Sequence, residues 1–97
     1  MKYQLIVHPE AETDLLNTFS WYQEQEKDLG LKFLRCVAAS ISSINRSPKI
    51  FPAVYKGIRR TLIRKFPYAI FYILEEHRII VLAVLHVRRH PIRWQSR

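Results

Sequence analysis

Residues 58–85 read IRRTLIRKFPYAIFYILEEHRIIVLAVL, and the fold turns on how this stretch is parsed. From Ile58 to Phe66 apolar and basic residues roughly alternate. In an extended chain this sets Arg60, Leu62, Arg64 and Phe66 on one face and Arg59, Thr61, Ile63 and Lys65 on the other. Pro67 then separates this half-cationic strand from residues 68–74, and Glu75-Glu76-His77-Arg78 separates those from residues 79–85. Both later runs are apolar on successive as well as alternate positions, the signature of strands covered on two faces. Three consecutive strands with short connections predict an antiparallel meander.

Upstream the period changes. Residues 2–7 (KYQLIV) form a short strand pattern stopped by His8-Pro9, with Pro9 suited to the first turn of a helix. Ala11, Leu15, Phe19 and Tyr22 recur at helical spacing with Thr18 beside them, while Glu10, Glu12 and Asp14 suit the positive end of the helix dipole. Gly30 interrupts the pattern. A second apolar stripe of Leu34, Val37, Ala38, Ile41 and Ile44 then runs to Ser47-Pro48. The whole predicts one α+β domain over residues 1–97, ordered β-α-α-β-β-β, with a helical hairpin packed on one face of a mainly antiparallel sheet. Such a hairpin leaves the other sheet face open. Another polypeptide is expected to cover it, the alternative being the chain's own loops, last residues and long Arg stems.

The chain of 97 residues is 48% hydrophobic and 25% charged, a globular composition with room for one core. The single Cys36 makes no internal disulfide, and the first nine residues lack the apolar core and cleavage site of a signal peptide. No apolar run approaches the roughly 20 residues that span a bilayer. A soluble cytoplasmic protein without a membrane partner is expected. Charge is unevenly placed. Up to Pro52 there are six basic and six acidic residues; beyond it there are ten basic and two acidic, so the net charge of +8 belongs to the second half. A one-sided cationic field favours a polyanion or an acidic protein as partner.

Several chemistries are excluded. After Asp28 the only carboxylates are Glu75 and Glu76, in a predicted turn, so a nuclease that holds Mg²⁺ through carboxylates is not expected. His86 and His90 are four apart, but Pro91 and the strand before them argue against a helix, and no third zinc ligand is visible. Cys36, between Arg35 and Val37 in the second helix, reads as structural. With Gly30 and Gly57 alone there is no Gly-rich phosphate loop. The expectation is therefore no metal and no cofactor.

What remains is cationic chemistry on phosphate. The segment from Leu85 to Arg97 holds two His, four Arg and a Trp without a carboxylate. Arg60, Arg64, His86, Arg88 and Arg89 are expected to converge at one end of the sheet, with Trp94 available to stack on a base. Taken singly, each Arg has the alternative role of solvating a strand edge, and His86 that of a hydrogen-bonded structural residue. Trp21-Tyr22 reads first as packing between the helices and second as a partner anchor.

The ordered set of Trp21-Tyr22 in an acidic first helix, Leu29-Gly30 and Phe33, Pro48, Phe51-Pro52, Ile58-Arg59-Arg60, Phe66-Pro67-Tyr68, Tyr72, Val84-Leu85-His86, Arg88-Arg89 and Trp94 resembles the RelE/ParE superfamily of toxins from bacterial type II toxin-antitoxin modules. The resemblance covers nearly the whole chain. It implies a growth-inhibiting toxin, of the kind found in plasmid stabilization modules, and a cognate acidic antitoxin that wraps it, with higher-order toxin-antitoxin assembly as a further possibility of the family. Two targets occur there: DNA gyrase, which is poisoned, and the ribosome with its mRNA, which is cleaved by a metal-independent endoribonuclease. In the mRNA-cleaving branch, Arg60 and Arg89 match catalytic basic positions and His86 is able to stand in as acid or base. Ala69 follows Tyr68 where that branch carries Arg, and the tail offers Trp94 where it often carries Tyr. The resemblance therefore favours the gyrase-poisoning, ParE-like reading. Arg59, Arg64, Arg88, Arg93, Trp94 and Arg97 are then the residues expected to bind the target or phosphate.

Overall fold

A computed structural model of the chain describes residues 3–88. The elements run β1 (Gln4–Val7), α1 (Pro9–Gln25), α2 (Leu29–Arg46), β2 (Ala53–Tyr55), β3 (Ile58–Leu62), β4 (Tyr68–Glu75) and β5 (Arg78–His86). They build one five-stranded sheet in the order β1-β5-β4-β3-β2, antiparallel throughout except that β1 lies parallel to β5. The predicted α+β architecture is the one observed, with β2 as an added strand. Its partner β3 ends at Leu62, four residues before the predicted end at Phe66, because residues 64–67 form a turn in which Lys65 adopts a left-handed φ of 71°. β2 and β3 are joined by Lys56-Gly57, both at positive φ (42° and 80°), the geometry that matches a two-residue hairpin to the twist of its strands.

Helix α1 begins as its sequence dictates. His8 caps it by accepting the Glu10 N–H on Nδ1 at 3.1 Å, Pro9 occupies the first turn, and Glu10 and Glu12 sit against the dipole. The break between helices lies at Asp28, which takes the left-handed conformation with φ 65°. Gly30, expected to break the helical pattern, instead lies inside the first turn of α2, and the reason is packing. A Cβ there would meet Gln23 Cγ at 2.6 Å, the Phe19 carbonyl oxygen at 2.7 Å and Phe19 Cδ1 at 2.8 Å. The two helices cross at this glycine, whose N–H donates to Gln23 Oε1 at 2.8 Å.

The hairpin seals one face of the sheet. Phe33, Val37 and Ile44 of α2 and Ala11 and Tyr22 of α1 pack on Ile63, Ile70, Tyr72, Ile79, Val81 and Val84. The α2 stripe is therefore rotated from the expected one: Leu34 and Ala38 are exposed, and Phe33 takes the core position. Tyr22, Phe33, Phe66 and Tyr68 form an aromatic cluster with ring centroids 5.0–6.1 Å apart. Trp21 stands outside it, 47% exposed and edge-on to Tyr22, so the pair divides between core and surface. Two polar ties lock the sheet to its surroundings. Buried Tyr72 donates its hydroxyl to the Pro48 carbonyl at 2.6 Å, and Asp14 accepts the Val84 N–H at 3.1 Å. The second tie sits beside a bulge: Phe71 pairs with Ala83 but Tyr72 with Val81, leaving Leu82 extra.

The bulge decides the opposite face. Leu82 and Ala83 both join Ile58, Ala69, Phe71 and Leu85 in a second cluster, with Tyr55, Ile73, Ile80 and Val87 packed around it. All six central residues are buried within the single chain. The open sheet face read from the sequence is thus closed at its centre without a second polypeptide. Among the described residues, no helix is long and apolar enough to cross a membrane.

Candidate functional site

The residues expected to converge are divided by the pleat of the sheet. Arg59 and Arg60 are neighbours on β3 and therefore project to opposite faces. Arg59 turns toward the α2–β2 loop, where its Nη1 donates to the Phe51 carbonyl at 2.6 Å and the Lys49 carbonyl at 3.0 Å. This guanidinium is a clamp on the chain's own backbone. Arg60 pairs across the sheet with Phe71 and shares the far face with it, half-buried. His86 ends β5 opposite Tyr68, with its ring edge-on at 5.3 Å on the helix side of the sheet, and its Nδ1 accepts the Arg88 N–H at 3.1 Å. Arg60 and His86 thus lie on opposite faces, so these two of the residues expected to converge are not brought together. Arg88 is exposed in the turn after β5. Arg89, Arg93, Trp94 and Arg97 lie outside the described residues.

Arg64 finds other company. Two adjoining grooves run between α2 and the β3–β4 segment, about 530 Å³ and 400 Å³, sharing Arg35 and Cys36 as common wall. Lys32 and Lys65 line the first and Arg64 the second, so among the described residues four cations rim the two adjoining grooves and no Asp or Glu lines them. The floor is apolar: Leu29 and Phe66 at one end, Ala39 and Phe51 at the other. Cys36, expected as a buried structural thiol, is half-buried and free. Lys32, Arg35 and Lys65 were not singled out from sequence, although two signals carry them. Residues 32, 35, 36, 39 and 43 follow the spacing of one helix flank, and Arg64-Lys65 is a dibasic turn.

The same flank presents an open strand edge. β2 covers β3 only at Ile58 and Arg59, so among the described residues no strand pairs with the outer edge at Thr61 and Leu62. Leu62 is 61% exposed there. An apolar floor, a cationic rim and a free strand edge together suit an extended or amphipathic acidic polypeptide. Among the described residues, no cluster of three His, Cys, Asp or Glu side chains is placed to hold a metal ion.

A small basic α+β domain whose helical hairpin lies on a meander is the architecture that the resemblance to the RelE/ParE superfamily implies. Comparison with known proteins narrows the class. Residues 5–91 match the family described as the ParE toxin of type II toxin-antitoxin systems, parDE, and the chain belongs to that family. Toxin ParE2 from two strains of Mycobacterium tuberculosis is 30% identical over 92 residues, covering 94% of this chain and 88% of each relative. Among solved structures, the chromosomal ParDE TA system from P. aeruginosa superposes with a TM-score of 0.78 at 15% identity, over 88% of this chain and 96% of that one. The protein is a ParE-type toxin of a type II toxin-antitoxin system.

Proposed function

We infer that this toxin arrests growth by poisoning DNA gyrase and that an acidic antitoxin neutralises it by occupying the cationic groove between α2 and the β3–β4 turn. The observation that carries the gyrase reading is the separation of Arg60 from His86. Proton transfer needs the acid or base within hydrogen-bond reach of the reacting group, and two residues on opposite faces of one sheet do not share a phosphodiester. Ala69 supports it further: it occupies the position where mRNA-cleaving relatives carry Arg, and it is fully buried against the far-face cluster, with no cation in its place. The antitoxin reading rests on family membership, on the +8 charge and on the form of the groove.

Purified toxin added to gyrase and supercoiled plasmid should accumulate linear, cleaved DNA, and premixing with the cognate antitoxin should prevent it. Absence of cleavage at excess toxin, with cleavage of ribosome-bound mRNA instead, would replace gyrase by the ribosome. Deleting residues 93–97, which include Arg93, Trp94 and Arg97, should abolish gyrase poisoning while antitoxin binding persists. Reversing Arg64 and Lys65 to Glu should do the converse.

A further inference from the structure

The far face of the sheet is buried although the described elements supply no layer above it. Ile58, Ala69, Phe71, Leu82, Ala83 and Leu85 are between 0% and 8% exposed. Both helices pack on the opposite face, and Phe51, Ile63 and Phe66 draw the α2–β2 and β3–β4 loops to that side as well. The turns at Lys56-Gly57 and Glu76-His77 close strand ends. Two short alanines at the centre would be hidden by tall neighbours alone, but Phe71, Leu82 and Leu85 rise above them and are hidden too, so atoms lie over the whole patch. Arg60 reaches Phe71 from β3. β5 is two strand spacings from β3, about 10 Å, which leaves Leu82, Ala83 and Leu85 beyond its stem.

The cover is narrow and belongs to the chain itself. Leu62, the cross-strand partner of Ala69, is 61% exposed, and Ile73 and Ile80 at the other end of β4 and β5 are only half-buried. A broad surface laid on the sheet would hide these as well. The central burial is that of one chain in isolation.

β5 delivers its following residues to this place. His86 faces the helix side, so Val87 returns to the far cluster, and its N–H donates to the Pro67 carbonyl at 3.0 Å. The chain turns at Val87-Arg88, next to the Ala69–Leu85 pair, and residues 89–97 (RHPIRWQSR) follow. Fully extended, nine residues reach about 30 Å, and the patch from Leu85 to Ile58 lies within about 20 Å. Extension sorts the segment: His90, Ile92 and Trp94 fall on one side, Arg89, Arg93 and Arg97 on the other. Pro91 favours an extended His90 and lacks the N–H that would add it to the sheet as a strand.

We propose that residues 89–97 fold back over the far face as an extended strap, with Ile92 and Trp94 seated on the patch centred on Ala69 and Ala83 and with Arg89, Arg93 and Arg97 turned to solvent. Large side chains over two alanines complete a packing layer that the sheet alone leaves unfinished. The strap sets three guanidinium groups on the face that carries half-buried Arg60, a cationic surface on an apolar base. This holds whichever target the toxin meets.

Trp21→Phe leaves Trp94 as the sole tryptophan of the full chain. Its emission should be blue-shifted from that of free tryptophan and shielded from acrylamide, and both properties should vanish in urea. In a Cys36→Ser background, Ile92→Cys should form an intramolecular disulfide with Ala83→Cys on oxidation with copper phenanthroline, and not with Leu34→Cys on the helices. Emission from a solvent-exposed Trp94 in the folded chain, or Ile92→Cys that links to Ala83→Cys no more readily than to Leu34→Cys, would overturn the proposal.

Discussion

The two faces of the sheet are both buried, yet they are held by different means. The helix face combines large side chains with polar ties: Phe33, Ile44, Ile70 and Tyr72 are fully buried, and Tyr72, Asp14 and Arg59 bind backbone groups across elements. The far face is a smaller patch of Ala69, Ala83, Phe71, Leu82, Leu85 and Ile58 in which two alanines sit at the centre. The difference teaches where change is tolerated. A substitution among the tied residues of the helix face breaks packing and a hydrogen bond together, while half-buried Arg60 at the rim of the far face can change at less cost.

The largest effect should come from Phe33→Ala. It empties the centre of the aromatic cluster and should cost about 3–5 kcal/mol, read as a lowered denaturant midpoint. Gly30→Ala comes next. Helix propensity would improve by about 1 kcal/mol, but the added Cβ overlaps the Phe19 carbonyl, so a net loss of about 1–3 kcal/mol is expected. A neutral or stabilised Gly30→Ala protein would show that the hairpin yields at its crossing.

Tyr72→Phe leaves the buried Pro48 carbonyl without its donor and should cost about 1–2 kcal/mol at neutral pH. It also has a pH signature. Burial raises the Tyr72 phenol above its usual 10.0, opposed by the nearby Arg59 charge. The folded state thus holds this proton more tightly than the unfolded one. The linked stabilisation is present below about pH 10 and is lost as pH rises through the raised folded value. Wild-type stability should therefore fall more steeply above pH 10 than that of Tyr72→Phe.

The smallest expected effect sharpens the comparison most. Arg59→Met releases the Phe51 and Lys49 carbonyls and should lower stability by about 1–2 kcal/mol, whereas Arg60→Met should change it by no more than about 0.5 kcal/mol. Equal stability losses would erase the distinction between the two faces.

Much of this fold is legible one residue at a time. His8-Pro9 opens α1 because a capping acceptor and a missing N–H both suit the first turn, and Glu75 to Arg78 mark a turn because four polar residues interrupt two apolar runs. The candidate site was less so. Arg59 and Arg60 differ by one position in the same dipeptide, and their roles depend on which face meets the α2–β2 loop. Lys32, Arg35, Arg64 and Lys65 meet only because α2 packs beside the β3–β4 turn, and periodicity in either segment carries no information about the other.

The sequence by itself determined the class of fold, the cationic second half, the lack of carboxylates for a metal nuclease and the resemblance to the toxin superfamily. These follow from local propensity, spacing and charge, which need no tertiary contact to be read. Tertiary structure alone decided that the far sheet face is closed within the chain, that Gly30 serves a helix crossing and not a helix end, and that Arg60 and His86 stand apart. For the glycine the reason is close packing against Phe19 and Gln23; for the other two it lies in the sheet. A bulge at Leu82 shifts which side chains face which way, and a sheet one residue thick keeps groups on its two faces from acting on the same bond.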